Sequence, residues 1–241
     1  MSFLNKLLFF ISVPKCVCCQ EKLDILDRCL CKRCRKEYEE QLGRNCPLCS
    51  LNLSSCRCSN RYLKAHSVKT LVKVYRYSRE PEFKAGNSLI YSLKQDNRKD
   101  VKEFLTDALA LSIVKIIEES KLRDYIITNV PRRRAGIIKY GYDHSKDLAR
   151  LVAKKTNIEY KEILKSVSKS AQKEAMGKER LNNARFDYRV GKGFTLKGRR
   201  IILIDDVVTT GASMGNSAVL LKGLGAKEII GATVSVAYKN N

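Results

Sequence analysis

The sequence predicts an α/β fold in which a parallel sheet is flanked by helices and preceded by a small cysteine-rich module. Three observations carry this reading. Ile201, Ile202, Leu203 and Ile204 form an unbroken apolar run, as a strand buried on both faces requires. From there the chain passes through DDVVTTGAS, residues 205–213, into a helical pattern over residues 214–224, giving strand, turn and helix in succession. All ten cysteines lie between Cys16 and Cys58, a crowding that packing alone does not account for.

Residues 1–13, MSFLNKLLFFISV, hold a continuous apolar run of only about seven residues, short for a secretory leader, and no Ala-x-Ala site precedes Pro14. They read as an apolar helix packed on the cysteine module, with weak association to the inner membrane as the alternative. No run of roughly eighteen apolar residues occurs, so the sequence predicts a soluble cytoplasmic chain, peripheral to the inner membrane if residues 1–13 touch lipid.

Eight cysteines form four close pairs: Cys16 with Cys19, Cys31 with Cys34, Cys46 with Cys49, and Cys56 with Cys58. Two residues between thiols, in a knuckle-like turn, aim both at one tetrahedral centre, and two such pairs complete a four-sulfur zinc site. Sequential pairing places Cys16, Cys19, Cys31 and Cys34 on one zinc and Cys46, Cys49, Cys56 and Cys58 on a second; interleaved pairing is the alternative. The second set is less regular, because one residue separates Cys56 from Cys58, and Cys18 and Cys29 offer substitute thiols. Four sulfurs leave no open coordination position, so such zinc is structural. A disulfide framework would need an oxidising compartment, to which nothing in the sequence points. So short a segment buries little core, and metal binding is expected to supply much of the folding free energy of residues 1–60. Residues 61–241 then form a second, larger domain.

Within that domain, residues 68–77 alternate as an edge strand. Residues 82–120 carry helical spacing, with Phe83, Leu89, Ile90 and Leu93 in one stretch and Val101, Leu105, Leu109 and Ile113 in the next, broken at 95–99. Tyr75, Tyr77 and Lys94 read as packing residues, with ligand contact as the alternative. Residues 125–130 give a strand read as central, which Pro131 stops before Arg132, Arg133 and Arg134. Arginines in the first loop after such a strand suit bidentate contacts to pyrophosphate or to a nucleic-acid backbone. Asp143 is placed to cap a helix containing Leu148, Leu151 and Val152, and His144 reads as a cap or surface residue. Residues 158–164 and 186–190 are strand candidates. The long polar loop between them, residues 166–185, places Gln172, Lys173, Lys178 and Arg180 to close over a phosphorylated ligand, a linker being the alternative. Gly223 and Gly225 end the next helix, and residues 228–237 form the last sheet strand.

The turn at residues 205–213 carries the chemistry. Gly211 permits a positive φ, so the amides of Thr209, Thr210, Gly211, Ala212 and Ser213 can converge at the positive end of the following helix and cradle a phosphate. Asp205 and Asp206 are placed to accept hydrogen bonds from vicinal sugar hydroxyls and to hold a magnesium shell indirectly. An acid pair and a phosphate cradle a few residues apart suit a ribose 5-phosphate. The alternative is a Rossmann-like turn whose acids face solvent. No Walker GxxxxGK[ST] occurs, which disfavours a P-loop NTPase.

The formal charge of +22 is extreme for a small-metabolite enzyme and points to a polyanionic partner, nucleic acid first and an anionic membrane second. Residues 121–200 hold 22 Lys and Arg against 8 Asp and Glu, most of that surplus, whereas the chain after residue 200 is neutral. A solvated surface that serves only solubility is the alternative.

The segment IILIDDVVTTGASM resembles the phosphoribosyl pyrophosphate (PRPP) signature of type I phosphoribosyltransferases. Taken with CPLC, Tyr75-x-Tyr77, VPRRR, GYDHSKDLAR and the QK-containing loop, the chain resembles the ComF family, also called ComFC or GntX-like, essentially end to end. The resemblance implies a type I phosphoribosyltransferase-like fold with an N-terminal zinc ribbon, and a role in DNA uptake during natural transformation. It also implies ribose contacts from Asp205 and Asp206 and 5-phosphate contacts from Thr209, Thr210, Gly211, Ala212 and Ser213. Asp143 and His144 stand where relatives have Asn and Gln.

Charge and resemblance together predict a competence protein that binds single-stranded DNA, works with DNA-uptake proteins and keeps a PRPP-binding scaffold. Two alternatives stand beside it. One is an active transferase on an unidentified base, with Asp205, Asp206 and Lys173 as the catalytic set and with Arg132, Arg133 and magnesium countering the leaving pyrophosphate. The other is a catalytically silent PRPP sensor. The oligomeric state is left open.

Overall fold

The computed structural model describes residues 13–53, 55–167 and 186–237. Residues 1–12 of the expected apolar helix, and Gln172, Lys173, Lys178 and Arg180, lie outside them. In chain order the elements are α1 (Lys32–Leu42), α2 (Arg61–Ala65), β1 (Thr70–Tyr77), α3 (Lys84–Gln95), α4 (Lys99–Ser120) and β2 (Tyr125–Asn129). They continue with α5 (Arg134–Tyr140), α6 (His144–Thr156), β3 (Leu164–Ser166), β4 (Phe186–Tyr188), β5 (Arg200–Val208), α7 (Ala212–Gly223) and β6 (Glu228–Ala237).

Four strands make the main sheet in the order β1-β6-β5-β2, every pair parallel. The apolar run of β5 alternates between two cores. Ile202 and Ile204 face one with Val72, Leu105, Leu109 and Val152, while Ile201 and Leu203 face the other with Leu63, Val68, Met214 and Ala218. A strand covered on both faces needs this continuous run of aliphatics, and each such side chain, once buried, contributes about 1.5–3 kcal/mol. The first of the two cores does not stop at the sheet and its helices. It runs on through Tyr38 into Leu30, Leu23, Cys34 and Cys16 of the cysteine module. Tyr38 stands with its ring centroid 5.7 Å from those of both Tyr75 and Phe104, which are on β1 and α4.

The structure corrects three expectations. β2, read as central, is the last strand of the sheet. All five of its residues are nevertheless buried, because residues 159–161 run along its outer side, with Ile127 N–H donating to the Glu159 carbonyl (2.8 Å) and Lys161 N–H to that of Ile127 (2.9 Å). The 158–164 candidate is therefore a flank bridged only at Tyr160, and the regular strand β3 pairs with β4 in a separate two-stranded antiparallel sheet. Finally, β5 does not end at its acids. Its pairing with β6 continues to Val208 opposite Val236, whereas its pairing with β2 stops at Ile204 opposite Asn129. Asp205 and Asp206 thus lie on a strand that has already lost its neighbour on one side, at the C-terminal edge where open α/β sheets bind ligands.

Candidate functional site

The cysteine module is built from two copies of one local device. Cys16 accepts at its carbonyl from Gln20 N–H (3.0 Å), and Cys46 likewise from Ser50 N–H (2.8 Å). Gln20 (φ 63°) and Ser50 (φ 58°) both take left-handed conformations that turn the chain back, and the bridges Lys15 to Lys22 and Asn45 to Asn52 close each knuckle. Cys31 caps α1, so Cys31 and Cys34 are presented from the first turn of one helix.

The Sγ atoms of Cys16, Cys19, Cys31 and Cys34 all lie within 4.8 Å of one another, and so do those of Cys46, Cys49, Cys56 and Cys58. These are the sequential sets. Neighbouring thiols stand at 3.3–3.6 Å, close to the roughly 3.8 Å edge of a tetrahedron with Zn–S distances of about 2.3 Å. All ten cysteines are free thiols. Burial acts to raise Cys16 and Cys46, yet backbone amides draw Cys16 down to about 7 and Cys46 down to about 6, while burial pushes Cys34 and Cys58 well up. Four free thiols at this spacing fit a tetrahedral divalent cation, and both groups could hold structural zinc. Cys29 lies outside both; burial pushes it up to about 12, as an inert core thiol.

The second constellation surrounds the acid pair. Asp205 Oδ1 accepts from Ser145 Oγ (2.8 Å) and from Asp206 N–H (2.9 Å), and Asp206 Oδ1 accepts from Val207 N–H (2.8 Å). The remaining oxygen of Asp206, Oδ2, faces Lys94 Nζ at 3.8 Å and Arg132 Nη1 at 3.9 Å. Burial and the neighbouring Asp206 charge hold the Asp205 carboxyl well above its usual range. Burial also acts to raise Asp206, but Lys94, the bond to Asp205 and Arg132 outweigh it and leave this carboxyl low. The environment has pushed two adjacent aspartates apart, as functional carboxylate pairs often are.

Three residues downstream the chain enters the loop. Thr209 and Thr210 are exposed, Gly211 has φ 84° and caps α7, and Ala212 N–H reaches Thr210 Oγ1 at 3.3 Å. The positive φ expected of Gly211 is thus present at the start of a twelve-residue helix.

The structure separates the two loop arginines. Arg132 packs on the Tyr140 ring (4.8 Å) and points to Asp206, whereas Arg133 is exposed at the N-cap of α5 and Arg134 belongs to that helix. Tyr75 is a core residue whose hydroxyl donates to the Phe83 carbonyl (2.7 Å). Lys94, weighed first as packing, stands at the acids. Ser145 is a site residue beyond those the sequence reading names, and its position beside the capping Asp143 is the local signal for it. His144, read as a cap or surface residue, is buried and meets Arg132 Nη1 through Nδ1, while Asp143 makes the cap to Lys146 N–H (3.1 Å).

A guanidinium only donates, so His144 accepts at Nδ1 and is neutral. Burial first, then the Arg132 charge, lower its affinity for a proton. The unfolded chain therefore takes up this proton at a higher pH than the fold does, and stability falls as pH drops below the ordinary histidine value near 6.5. The chain has two histidines, so an NMR titration should resolve His144 as an imidazole that protonates below that value, and His144→Asn should flatten the loss of Tm between about pH 7 and 5. Titration at or above the ordinary value would contradict the neutral His144–Arg132 pair.

The family profile described as phosphoribosyl transferase domain matches residues 135–240, a span that includes the acid pair and the loop but not the cysteines. Over 209 residues the chain is 25% identical to "Competence protein ComFC" of Streptococcus pneumoniae, covering 84% of this chain and 86% of that protein. It is 27% identical over 226 residues to "Competence protein F" of Haemophilus influenzae, covering 89% and 93%. Among solved structures, an adenine phosphoribosyltransferase aligns over 58% of this chain and 72% of its own with 16% identity and a TM-score of 0.41. The ComF resemblance and the phosphoribosyltransferase-like α/β fold with its cysteine-rich N-terminal module are borne out.

Proposed function

We propose that this ComF-like chain binds single-stranded DNA in support of DNA uptake, on a scaffold that binds PRPP or a related phosphoribosyl ligand. The observation that carries the ligand half is the acid pair on β5, faced by Lys94 and Arg132 and followed within five residues by a positive-φ loop at the start of α7. In this reading Asp205 and Asp206 accept the ribose hydroxyls, and Thr209, Thr210, Gly211, Ala212 and Ser213 surround the 5-phosphate. Lys94 and Arg132 turn from Asp206 to the pyrophosphate, and Arg133 adds a further cation; Lys173, the remaining member of the expected catalytic set, lies outside the described residues. The donor set fits magnesium, which is held by few carboxylates and keeps waters and substrate phosphates as its other ligands. Asp206 would hold it through water, and the ion would neutralise pyrophosphate charge.

The DNA half rests on the charge of +22 and on competence in the names of both relatives. Two zinc ions, each with four thiolates, would leave +18, still strongly basic. From the surplus at residues 121–200, Arg132 stands at the acids, and uptake proteins are then the natural partners of the complex. No helix among the described residues is long and apolar enough to cross a membrane, and any contact with the inner membrane would fall to residues 1–13. Binding to an oligonucleotide should weaken about a hundredfold between 50 and 200 mM salt if about five phosphates are contacted. Fluorescence anisotropy measures it, and salt-insensitive or absent binding at low ionic strength removes the DNA half.

Arg132, already held at the acids, supports a second reading as an active transferase. Pyrophosphate release from PRPP in the presence of a base distinguishes it from a silent PRPP sensor.

A further inference from the structure

The second cysteine group touches the loop at residues 209–213 through one short segment. Cys58 bridges Thr70 of β1, Leu71 N–H donates to the Arg57 carbonyl (2.9 Å), and the buried Lys73 ammonium donates to the Cys58 carbonyl (2.6 Å) with Cys58 Sγ 3.7 Å away. The group is therefore tied to the edge strand of the sheet. Two residues on, Asn60 uses both ends of its amide. Its Oδ1 accepts from Leu63 N–H (2.9 Å) and starts α2, while its Nδ2 donates to the Thr210 carbonyl (3.1 Å) inside the loop.

Two glycines, Gly211 at the N-cap of α7 and Gly215 within it, let α2 come this close. A Cβ on Gly211 would stand 2.7 Å from Leu63 Cγ, and one on Gly215 would stand 2.7 Å from Tyr62 Cε1 and 3.1 Å from His66 Cβ. Tyr62 donates to Asn216 Oδ1 (2.9 Å), and its ring stacks on His66 at 4.0 Å. The phosphate loop is thus backed by a five-residue helix that hangs from the second cysteine group.

We propose that Asn60 is a positioning residue for the loop, and that through it the second cysteine group sets the loop's affinity for a sugar phosphate. Fixing the Thr210 carbonyl holds the Thr210–Gly211 peptide plane, so the Gly211 amide in that plane keeps the orientation that a phosphate needs. A cradle left free must be ordered by its ligand, and the ordering cost appears as lost affinity. The proposal rests on the reading of residues 209–213 as a phosphate loop.

The test uses the zinc-loaded full chain and Asn60→Ser, in which a hydroxyl still caps α2 but is too short to reach Thr210. Amide hydrogen exchange at residues 209–213 should quicken about three- to tenfold, the loss of one hydrogen bond, and the Kd for PRPP with magnesium should rise by a similar factor. Zinc content and exchange at α2 should not move, which a merely structural role would not leave intact. Tyr62→Phe, which removes the bond to Asn216, should shift the same two readouts in the same direction. Wild-type exchange and wild-type Kd in both variants would overturn the proposal. Should the wild-type chain not bind PRPP, the phosphoribosyl reading falls, and the exchange measurement alone still decides whether Asn60 holds the loop.

Discussion

Replacing Asp205 and Asp206 together with asparagine should weaken PRPP binding about a hundredfold or more, from the loss of two charge-assisted acceptors, while the zinc content stays at the wild-type level. Asparagine keeps an oxygen where Val207 N–H and Ser145 Oγ now donate, so the strand end retains its hydrogen bonds. What it removes is the charge that strengthens bonds from ribose hydroxyls and that attracts a magnesium shell. Isothermal titration measures the loss. A double variant that still binds PRPP within a factor of about three of wild type, roughly the worth of one weak neutral bond, would remove the acids from the ligand site.

The single variants should move stability in opposite directions, which separates lost function from lost fold. Asp205 has a folded-state carboxyl raised above its unfolded value by burial and by Asp206. It therefore favours the fold only when protonated, and that contribution disappears as pH rises through its folded-state value. At a pH where it is ionised it is a net cost, so Asp205→Asn should raise Tm. Asp206 has a lowered carboxyl, because Lys94 and Arg132 outweigh its burial. Its contribution is present above the unfolded value and is lost on acidification, so Asp206→Asn should lower Tm. A site that keeps a costly carboxylate beside a stabilised one is retaining charge for a ligand rather than for folding.

How much of this was legible in the sequence depended on how far apart the cooperating residues lie. The strand, turn and helix around residues 201–224 are local, and the residue types state their own reasons: aliphatics for two buried faces, a glycine for φ 84°, small residues for the first turn of α7. The sequential grouping of the thiols was legible for the same reason, since each knuckle closes within about eight residues of chain. The edge position of β2 was not, because a flank at residues 159–161 buries it as completely as a fifth strand would. The extension of β5 through its acids was also hidden, because only pairing with β6, which follows later in the chain, permits it. Lys94, Ser145 and Asn60 reach the site from separate elements, 112, 60 and 150 residues from their partners there, and only Ser145, beside the capping Asp143, carries a local mark. Tertiary packing alone decides which lysine or serine becomes part of a site.

Stripping metal from the chain should produce the other large effect, a fall in Tm of more than about 10 °C. Structural zinc contributes roughly 10–16 kcal/mol of binding free energy in small zinc-finger peptides, and for a chain of this size about 1 kcal/mol corresponds to 2–4 °C. The shared core governs how the loss spreads. Cys16, Cys34, Leu30 and Tyr38 lie in the same apolar cluster as Val72, Leu105, Ile202 and Ile230, so releasing the first cysteine group opens one face of the sheet to water. We therefore propose that residues 1–60 and 61–241, though distinct in composition, unfold in one transition. Calorimetry with and without a zinc chelator checks it, with thiol accessibility as a second probe. A chelated chain whose cysteines react freely while the sheet melts at the wild-type temperature would show that the module contributes nothing to the domain's stability. A single transition shifted downward would show that the metal sites hold the face of the sheet opposite α7.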